Sequence, residues 1–373
     1  MNSPLRIGIL GTRGIPNRYG GFEQCAEKLA VGLVERGHDV WVYNSHKHEF
    51  QGDNWNGAHI IHCNDPEHRL GTAGQFIYDL NCYRDANHRN FDILLQMGYS
   101  SSSVWYRWWP RYCPNVVNMD GLEWRRTKYN PAVRRFLRRA EKWAAQEADV
   151  LIADSLGIQN HLKSVYRKDS IFIPYGADLF DNPDSVILRE FGLRPYQYDL
   201  LIARMEPENN VETVISGHIE GGSPRMLVIV GNTGNAHGEH LLSKFGSNPA
   251  IKFLGAIFDA PIVNNLRYFS CIYFHGHSVG GTNPSLLEAM ACQALVAAHD
   301  NAFNRAVLGN DALYFNSPAE VASLLQSFKG REELLPFVTN NLKKIRDLYN
   351  WPRIVDAYEQ TLIQTVNSWR SLP

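Results

Sequence analysis

Short apolar runs alternate with amphipathic stretches along all 373 residues, and the alternation starts twice. The first set of strand-like runs falls at 6–10, 40–43, 59–62, 93–96, 116–119, 150–153 and 171–173. The second falls at 200–203, 227–230, 251–253, 271–274, 295–298 and 313–315, each followed by a helical or turn segment. Strands separated by helices build βα units, whose parallel sheets are covered on both faces. Between the first two runs, Phe22, Cys25, Ala26, Leu29, Ala30, Leu33 and Val34 recur at helical spacing, and Gly37 ends the pattern. The sequence therefore predicts an α/β chain of two doubly wound, Rossmann-like halves.

A chain this long exceeds one ordinary core. The stretch 180–198 carries Pro183, Pro195, Asp181 and Asp184, which places the junction there and the domains at 1–182 and 183–351. Residues 351–369 are helical in pattern and follow the completed second set of strands. Residues 352–373 are accordingly expected to cross back onto the first domain. Two such halves put ligands at the carboxyl ends of both sheets, in a cleft between the domains.

Composition narrows the function classes. The net charge of −1 argues against binding a polyanion by bulk charge. No apolar run is long enough to span a bilayer, and residues 1–6 lead into the first strand without the apolar core of a signal peptide. Six cysteines without CxxC spacing read as reduced, mostly buried thiols of a cytoplasmic protein. The 14 histidines show no HExxH, so no metal site is expected.

Three segments carry chemistry. The apolar strand 271–274 leads into the Gly-rich turn of 277–291, with Gly280, Gly281 and Thr282, then Asn283 and Pro284. Asn283 suits a helix cap and Pro284 the first helical position. A helix that begins this way is expected to aim unpaired amides and its positive dipole end at a phosphate. Glu288, one turn in, is placed to accept hydrogen bonds from sugar hydroxyls, or merely complements the dipole. In 203–210, Arg204 follows a strand and either holds a diphosphate through its planar fork or pairs with Glu206 or Glu208.

The third segment follows the first strand. Gly8, Gly11 and Gly14 are not spaced as GxGxxG, and Asn44 and Ser45 stand where a ribose-binding acid would. A nicotinamide enzyme is thereby disfavoured. The loop is either a plain surface loop or a glycine-rich element presenting amides and Arg13 or Arg18 to a ligand. Asp120, before Gly121, faces a ligand or forms an Asx turn. Glu23 contacts a ligand or is simply an early-helix carboxylate.

Taken together, these segments resemble those of the retaining glycosyltransferases of family 4, which have the GT-B architecture of two facing Rossmann-like domains. Ala203-Arg204-Met205-Glu206-Pro207-Glu208-Asn209-Asn210 resembles that family's G-R-x-x-P-E-K-N segment, and Glu288-Ala289-Met290-Ala291 the second half of its E-x7-E motif. Pro174-Tyr175-Gly176-Ala177-Asp178 resembles its P-N-G-V-D turn, and Trp351 to Tyr358 its crossover helix. Residues 11–23 and 119–126 are similar to a bacterial rhamnosyltransferase-like subgroup with an N-terminal domain of DUF1972 type.

The resemblance implies metal-independent transfer of a sugar with retention and no cofactor. Its donor would be a dTDP- or UDP-linked sugar, by first expectation dTDP-L-rhamnose. The acceptor would be a polyprenyl-diphosphate-linked saccharide in surface-polysaccharide synthesis at the inner face of the membrane. Arg204, Asp120 and Glu288 are its catalytic candidates. Arg13, Gly14, Asn209, His277, Gly281, Thr282, Asn283 and Glu288 fall on the donor side, and Tyr19, Glu23, Asp120 and Glu123 on the acceptor side. Two departures stand out: Gly280 occupies the place of the first Glu of E-x7-E, and Asn209 that of the diphosphate-facing Lys. A UDP-hexose donor and a non-catalytic nucleotide-sugar-binding protein are the alternatives.

From 104 to 143 the chain carries Arg107, Arg111, Arg125, Arg126, Lys128, Arg134, Arg135, Arg138, Arg139 and Lys142, against Asp120, Glu123 and Glu141. Between Asn130 and Glu147, Val133, Phe136, Leu137, Ala140, Trp143 and Ala144 line one helix face and arginines the other. With Trp105, Trp108 and Trp109 nearby, this stretch either docks on anionic lipid headgroups or is an ordinary helix with a solvated basic face. Nucleic acid is disfavoured, since the rest of the chain is not basic.

Overall fold

The computed structural model describes residues 3–371 apart from 19, 120, 127 and 128. Two compact units emerge: one made of 1–124, 131–175 and 351–373, the other of 125–130 and 176–350. The break at 175/176 lies upstream of the Pro- and Asp-bearing stretch that the sequence singles out. Main-chain bonding explains the difference. The Ala177 amide donates to Tyr349 at 2.8 Å and the Phe180 amide to Ala291 at 3.4 Å, so residues before 183 already belong to the second unit.

The first unit contains β1 (Arg6–Leu10), β2 (Asp39–Ser45), β3 (Asn54–Trp55), β4 (Ala58–Cys63), β5 (Ile93–Met97), β6 (Asn115–Asn118), β7 (Val150–Ala153) and β8 (Ile171–Phe172). Its sheet runs β3-β4-β2-β1-β5-β6-β7-β8. All these pairings are parallel except the β3–β4 hairpin. Four of the five β1 residues are buried, as expected for a parallel strand covered on both faces. The helix Gly21–Glu35 buries Cys25, Ala26, Leu29, Ala30 and Leu33.

The C-terminal helix Trp351–Arg370 packs on that helix. A Cβ on Gly32 would lie 2.8 Å from Val355, so only glycine permits this approach. Arg36 and His38 pair with Glu359 at 3.2 and 3.0 Å, and Asn118 donates to the Tyr358 hydroxyl at 2.8 Å.

The second unit contains β9 (Tyr198–Ile202), β10 (Met226–Val230), β11 (Ile251–Gly255), β12 (Tyr273–His275), β13 (Val296–His299) and β14 (Leu313–Phe315) in the order β11-β10-β9-β12-β13-β14. Every pairing is parallel. Leu201, Leu227, Ile229, Phe274, Leu295, Ala297 and Phe315 form its core with helix residues Val214, Ile215 and Val321. All six cysteines are free and buried. Among the described residues, no helix is long and apolar enough to cross a membrane.

Candidate functional site

In the second sheet, the chain winds outward from β9 to β11 and then restarts at β12 on the other side of β9. The crevice at the carboxyl ends of β9 and β12 is the switch point, where α/β sheets bind ligands. The loops that meet there are 203–210 and 276–283. Arg204, Asn209, His277, Gly281, Thr282 and Asn283 all lie on them.

Backbone approach locks the two loops together. A Cβ on Gly276 would fall 2.1 Å from the carbonyl oxygen of Asn209, so no larger residue fits. Asn210, at φ 51°, donates from Nδ2 to the Gly276 carbonyl at 2.8 Å. The Ser278 amide and hydroxyl both donate to the Glu208 carbonyl, at 3.0 and 2.8 Å. Asn209 is 3 % exposed and its Nδ2 donates to the Arg204 carbonyl at 2.8 Å. It therefore fixes the arginine's main chain from inside the loop.

Arg204 itself is exposed and forms no ion pair among the described residues. Neither Glu206 nor Glu208 takes it; the Glu208 carboxylate instead lies 3.8 Å from Arg126. Arg204 and Arg126 add their fields to burial and push the His277 imidazole down to about 3. His277 is thus neutral over the physiological range. Its ring stacks on His275 at 4.4 Å and 15°, and its carbonyl accepts from Asn301 and Asn304 at 3.1 and 3.0 Å. Burial also holds His275 neutral, and neither of its ring nitrogens has a partner among the described residues.

The helix Pro284–Ala291 begins as its sequence predicts, with Asn283 as cap. Its first-turn amides, however, are already used. Asn283 Oδ1 accepts from Ser285 at 2.9 Å, and the Asn283 carbonyl accepts from Leu286 and Leu287 at 3.0 and 3.3 Å. The expectation that these amides await a phosphate is corrected: Pro284 has no N–H and the cap consumes the rest. Upstream, the backbone amides of Gly280 and Gly281 make no hydrogen bond among the described residues. Gly280 has φ +142° and open space where a Cβ would stand, and Thr282 is buried.

Glu288 is not simply a dipole-complementing carboxylate. It sits 2.6 Å from the guanidinium of Arg267, whose side chain is 4 % exposed. Arg267 also donates to Ser285 Oγ at 3.1 Å, which shares a 2.9 Å hydrogen bond with the Tyr273 hydroxyl. Arg267, Asn301, Asn304 and His275 escape sequence reading. Nothing in local pattern marks an arginine in Ala260–Tyr268 as buried.

The first sheet has its own switch point between β1 and β5. Arg13 does not project over a ligand there: its guanidinium is taken bidentately by Glu67 at 3.0 and 2.8 Å. Glu23 is buried and accepts from the Arg13 amide at 3.1 Å, so it braces the loop. Gly14, at φ +124°, lies against the amide of Asn44, whose side chain brackets Ile15 through its N–H at 3.0 Å and carbonyl at 2.7 Å. Glu123 is half-buried in a short turn with Trp124 and Arg125. Arg18 pairs with Glu49 on the surface. Tyr19 and Asp120 lie outside the described residues. No group of three His, Cys, Asp or Glu side chains placed to hold a metal ion occurs among the described residues.

Residues 114–178 match the family model described as Domain of unknown function DUF1972. No curated protein matches the chain in sequence. Solved structures match nearly its whole length. Sucrose-phosphate synthase from Thermosynechococcus elongatus superimposes with TM-score 0.78 at 14 % identity, covering 97 % of this chain and 99 % of its own. Anabaena HepE in complex with UDP-glucose gives TM-score 0.73 at 16 % identity, with 97 % and 99 % covered. An α,α-trehalose-phosphate synthase (UDP-forming) from Burkholderia vietnamiensis gives 0.72 at 12 % identity, with 100 % of both chains covered. These likenesses establish the fold as that of the GT-B glycosyltransferases, two parallel-sheet α/β domains in one chain.

Proposed function

We propose that this chain is a glycosyltransferase that takes a sugar from a nucleoside-diphosphate donor bound at the β9–β12 switch point. The observation that carries the reading is Arg204: an exposed cation, without an ion pair among the described residues, on a loop locked to the one that bears the Gly280 and Gly281 amides. A diphosphate needs this combination of a planar cationic fork and glycine amides. The chain-length likeness to glycosyltransferase structures, including one titled as a UDP-glucose complex, supports the same reading.

Transfer proceeds with retention. The bond between the anomeric carbon and the diphosphate oxygen breaks while Arg204 and the glycine amides hold the departing charge in a preorganised field. An acceptor hydroxyl attacks the anomeric carbon from the face the diphosphate leaves, and its proton passes to the departing phosphate. Glu288, held by Arg267, accepts hydrogen bonds from donor-sugar hydroxyls with its remaining lone pairs. No cofactor or metal takes part in this scheme.

The donor we favour is dTDP-L-rhamnose and the acceptor a polyprenyl-diphosphate-linked saccharide, on the similarity of 11–23 and 119–126 to the rhamnosyltransferase-like subgroup. Gly280, where the wider family has a glutamate, takes one polar partner from the site, which fits a sugar with one hydroxyl fewer. A UDP-hexose donor is the second reading, favoured by the UDP-glucose complex of HepE. Incubation of the full chain with dTDP-L-rhamnose or UDP-glucose and a polyprenyl-diphosphate disaccharide tests both. Donor-dependent extension of the lipid-linked saccharide is expected. Nucleotide binding without any transfer would replace the enzyme by a non-catalytic binding protein.

A further inference from the structure

Three segments of the first unit, 67–86, 103–111 and 131–147, share one surface whose chemistry sugar transfer leaves unused. Rings join them: Phe76 meets Phe136 at 5.5 Å, Phe136 meets Trp143 at 6.3 Å, and Trp143 meets Tyr106 at 6.3 Å. Trp105 Nε1 donates to the Phe76 carbonyl at 2.7 Å. Around this half-buried aromatic seam, Leu70, Ile77 and Trp108 are exposed by 52, 38 and 48 %.

The fully exposed charges on this surface are of one sign. Arg107, Arg135, Arg138, Arg139 and Lys142 are exposed. No carboxylate of the three segments is exposed. Glu67, Asp85 and Glu147 are half-buried, the first two paired with Arg13 and Arg89, and Asp79 is buried. Glu141, which the sequence counts against the arginines, is 1 % exposed and accepts from Trp124, His161 and Tyr166 at 3.0, 2.8 and 2.7 Å. Two further corrections sharpen the picture. Trp109 is buried, and Arg125 and Arg126 belong to the second unit. In a chain of net charge −1, the basic surplus is gathered here.

We propose that this face docks on a bilayer containing anionic lipids. Guanidinium groups pair with headgroup phosphates, Trp108 suits the headgroup level, and Leu70 and Ile77 enter the acyl boundary. Exposed aliphatic side chains gain nothing against RNA, which favours the lipid surface. The inference is independent of the glycosyltransferase reading.

Sedimentation of the full chain with vesicles tests it. Binding to phosphatidylglycerol/phosphatidylcholine vesicles is expected, with little binding to pure phosphatidylcholine and release at high salt. The pair Arg135→Ala, Arg139→Ala is expected to lower partitioning roughly twenty-five-fold, since each basic residue near such a surface contributes about fivefold. Trp108→Ala is expected to weaken it at low salt as well, whereas Arg346→Ala on the second unit leaves it unchanged. Unaltered circular dichroism and thermal unfolding show that the variants fold. Equal binding to both vesicle types, absence of binding to the anionic ones, wild-type binding by the double variant, or retention by RNA alone would each overturn the proposal.

Discussion

The carboxylate of Glu288 stands 2.6 Å from the guanidinium of Arg267, an arginine whose side chain is 4 % exposed. A cation buried to this degree is tolerable only with its anion, so each residue fixes the other. This pairing orients Glu288 at the base of the Pro284–Ala291 helix and anchors that helix on β12 through Ser285 and Tyr273.

Arg267→Met is therefore expected to cost about 3 kcal/mol, because it leaves the partly buried carboxylate without its cation. The double variant Arg267→Met, Glu288→Gln should cost less than the sum of the two single changes, by on the order of 2 kcal/mol. Urea denaturation of the four proteins measures this coupling. Strict additivity would mean that the pair is not mutually dependent.

Gly276 tests the locking of the two loops. A methyl group there meets the Asn209 carbonyl at 2.1 Å, main chain against main chain, with no side chain free to yield. Gly276→Ala is expected to lower stability by about 2 kcal/mol and to abolish nucleotide binding as the loops part. Wild-type stability in thermal unfolding would show that the loops separate without cost.

Asp79 sets a pH dependence. It is fully buried, and burial raises its pKa from the ordinary 3.8 to about 7, opposed by a hydrogen bond from Ser101. Between these values the unfolded chain is ionised at this position while the folded chain keeps its proton. The folded state thus binds more protons, and stability falls as pH rises through the window, then levels off. Asp79→Asn removes the loss. It should raise stability by on the order of 2 kcal/mol at pH 8 and leave pH 4 nearly unchanged, as read by melting across pH.

His277 gives a proton signature of binding. Burial, Arg204 and Arg126 hold it neutral, with a pKa of about 3. A diphosphate at Arg204 replaces repulsion by attraction and raises that pKa, so binding takes up a proton as pH approaches the new value from above. Calorimetry of UDP-glucose or dTDP-L-rhamnose binding, whose diphosphate diesters do not themselves titrate here, should in buffers of different ionisation enthalpy show proton uptake that grows as pH falls toward the new value and vanishes at pH 8. His277→Gln should abolish the uptake. Uptake that persists in this variant would place the titrating group elsewhere.

Much of this was legible in the sequence for one reason. Strands of a parallel sheet are buried on both faces, so β7 and β10 read as unbroken apolar runs. The two-residue strand Asn54–Trp55 carries no such run and went unread. The site loops were legible because Gly280, Gly281, Asn283 and Pro284 have few other uses in sequence. What those loops do with their amides was not, since the Asn283 cap consumes donors that pattern alone assigns to a ligand. Glu141 is the clearest loss. Its donors come from Trp124, His161 and Tyr166, far apart in the chain, and no local spacing reveals a carboxylate satisfied from such distances.

Binding of a nucleoside diphosphate by Arg204 and the glycine amides beside it is the core of the proposed function. Thermal unfolding of the full chain with UDP, dTDP and GDP, for the wild type and for Arg204→Ala, tests it most directly. Ligand at a hundredfold excess over its Kd stabilises a protein by about 2.7 kcal/mol. UDP or dTDP is expected to raise the wild-type melting temperature accordingly, and Arg204→Ala to fold as before but lose the shift. No stabilisation by any of the three nucleotides, or an undiminished shift in Arg204→Ala, would contradict it.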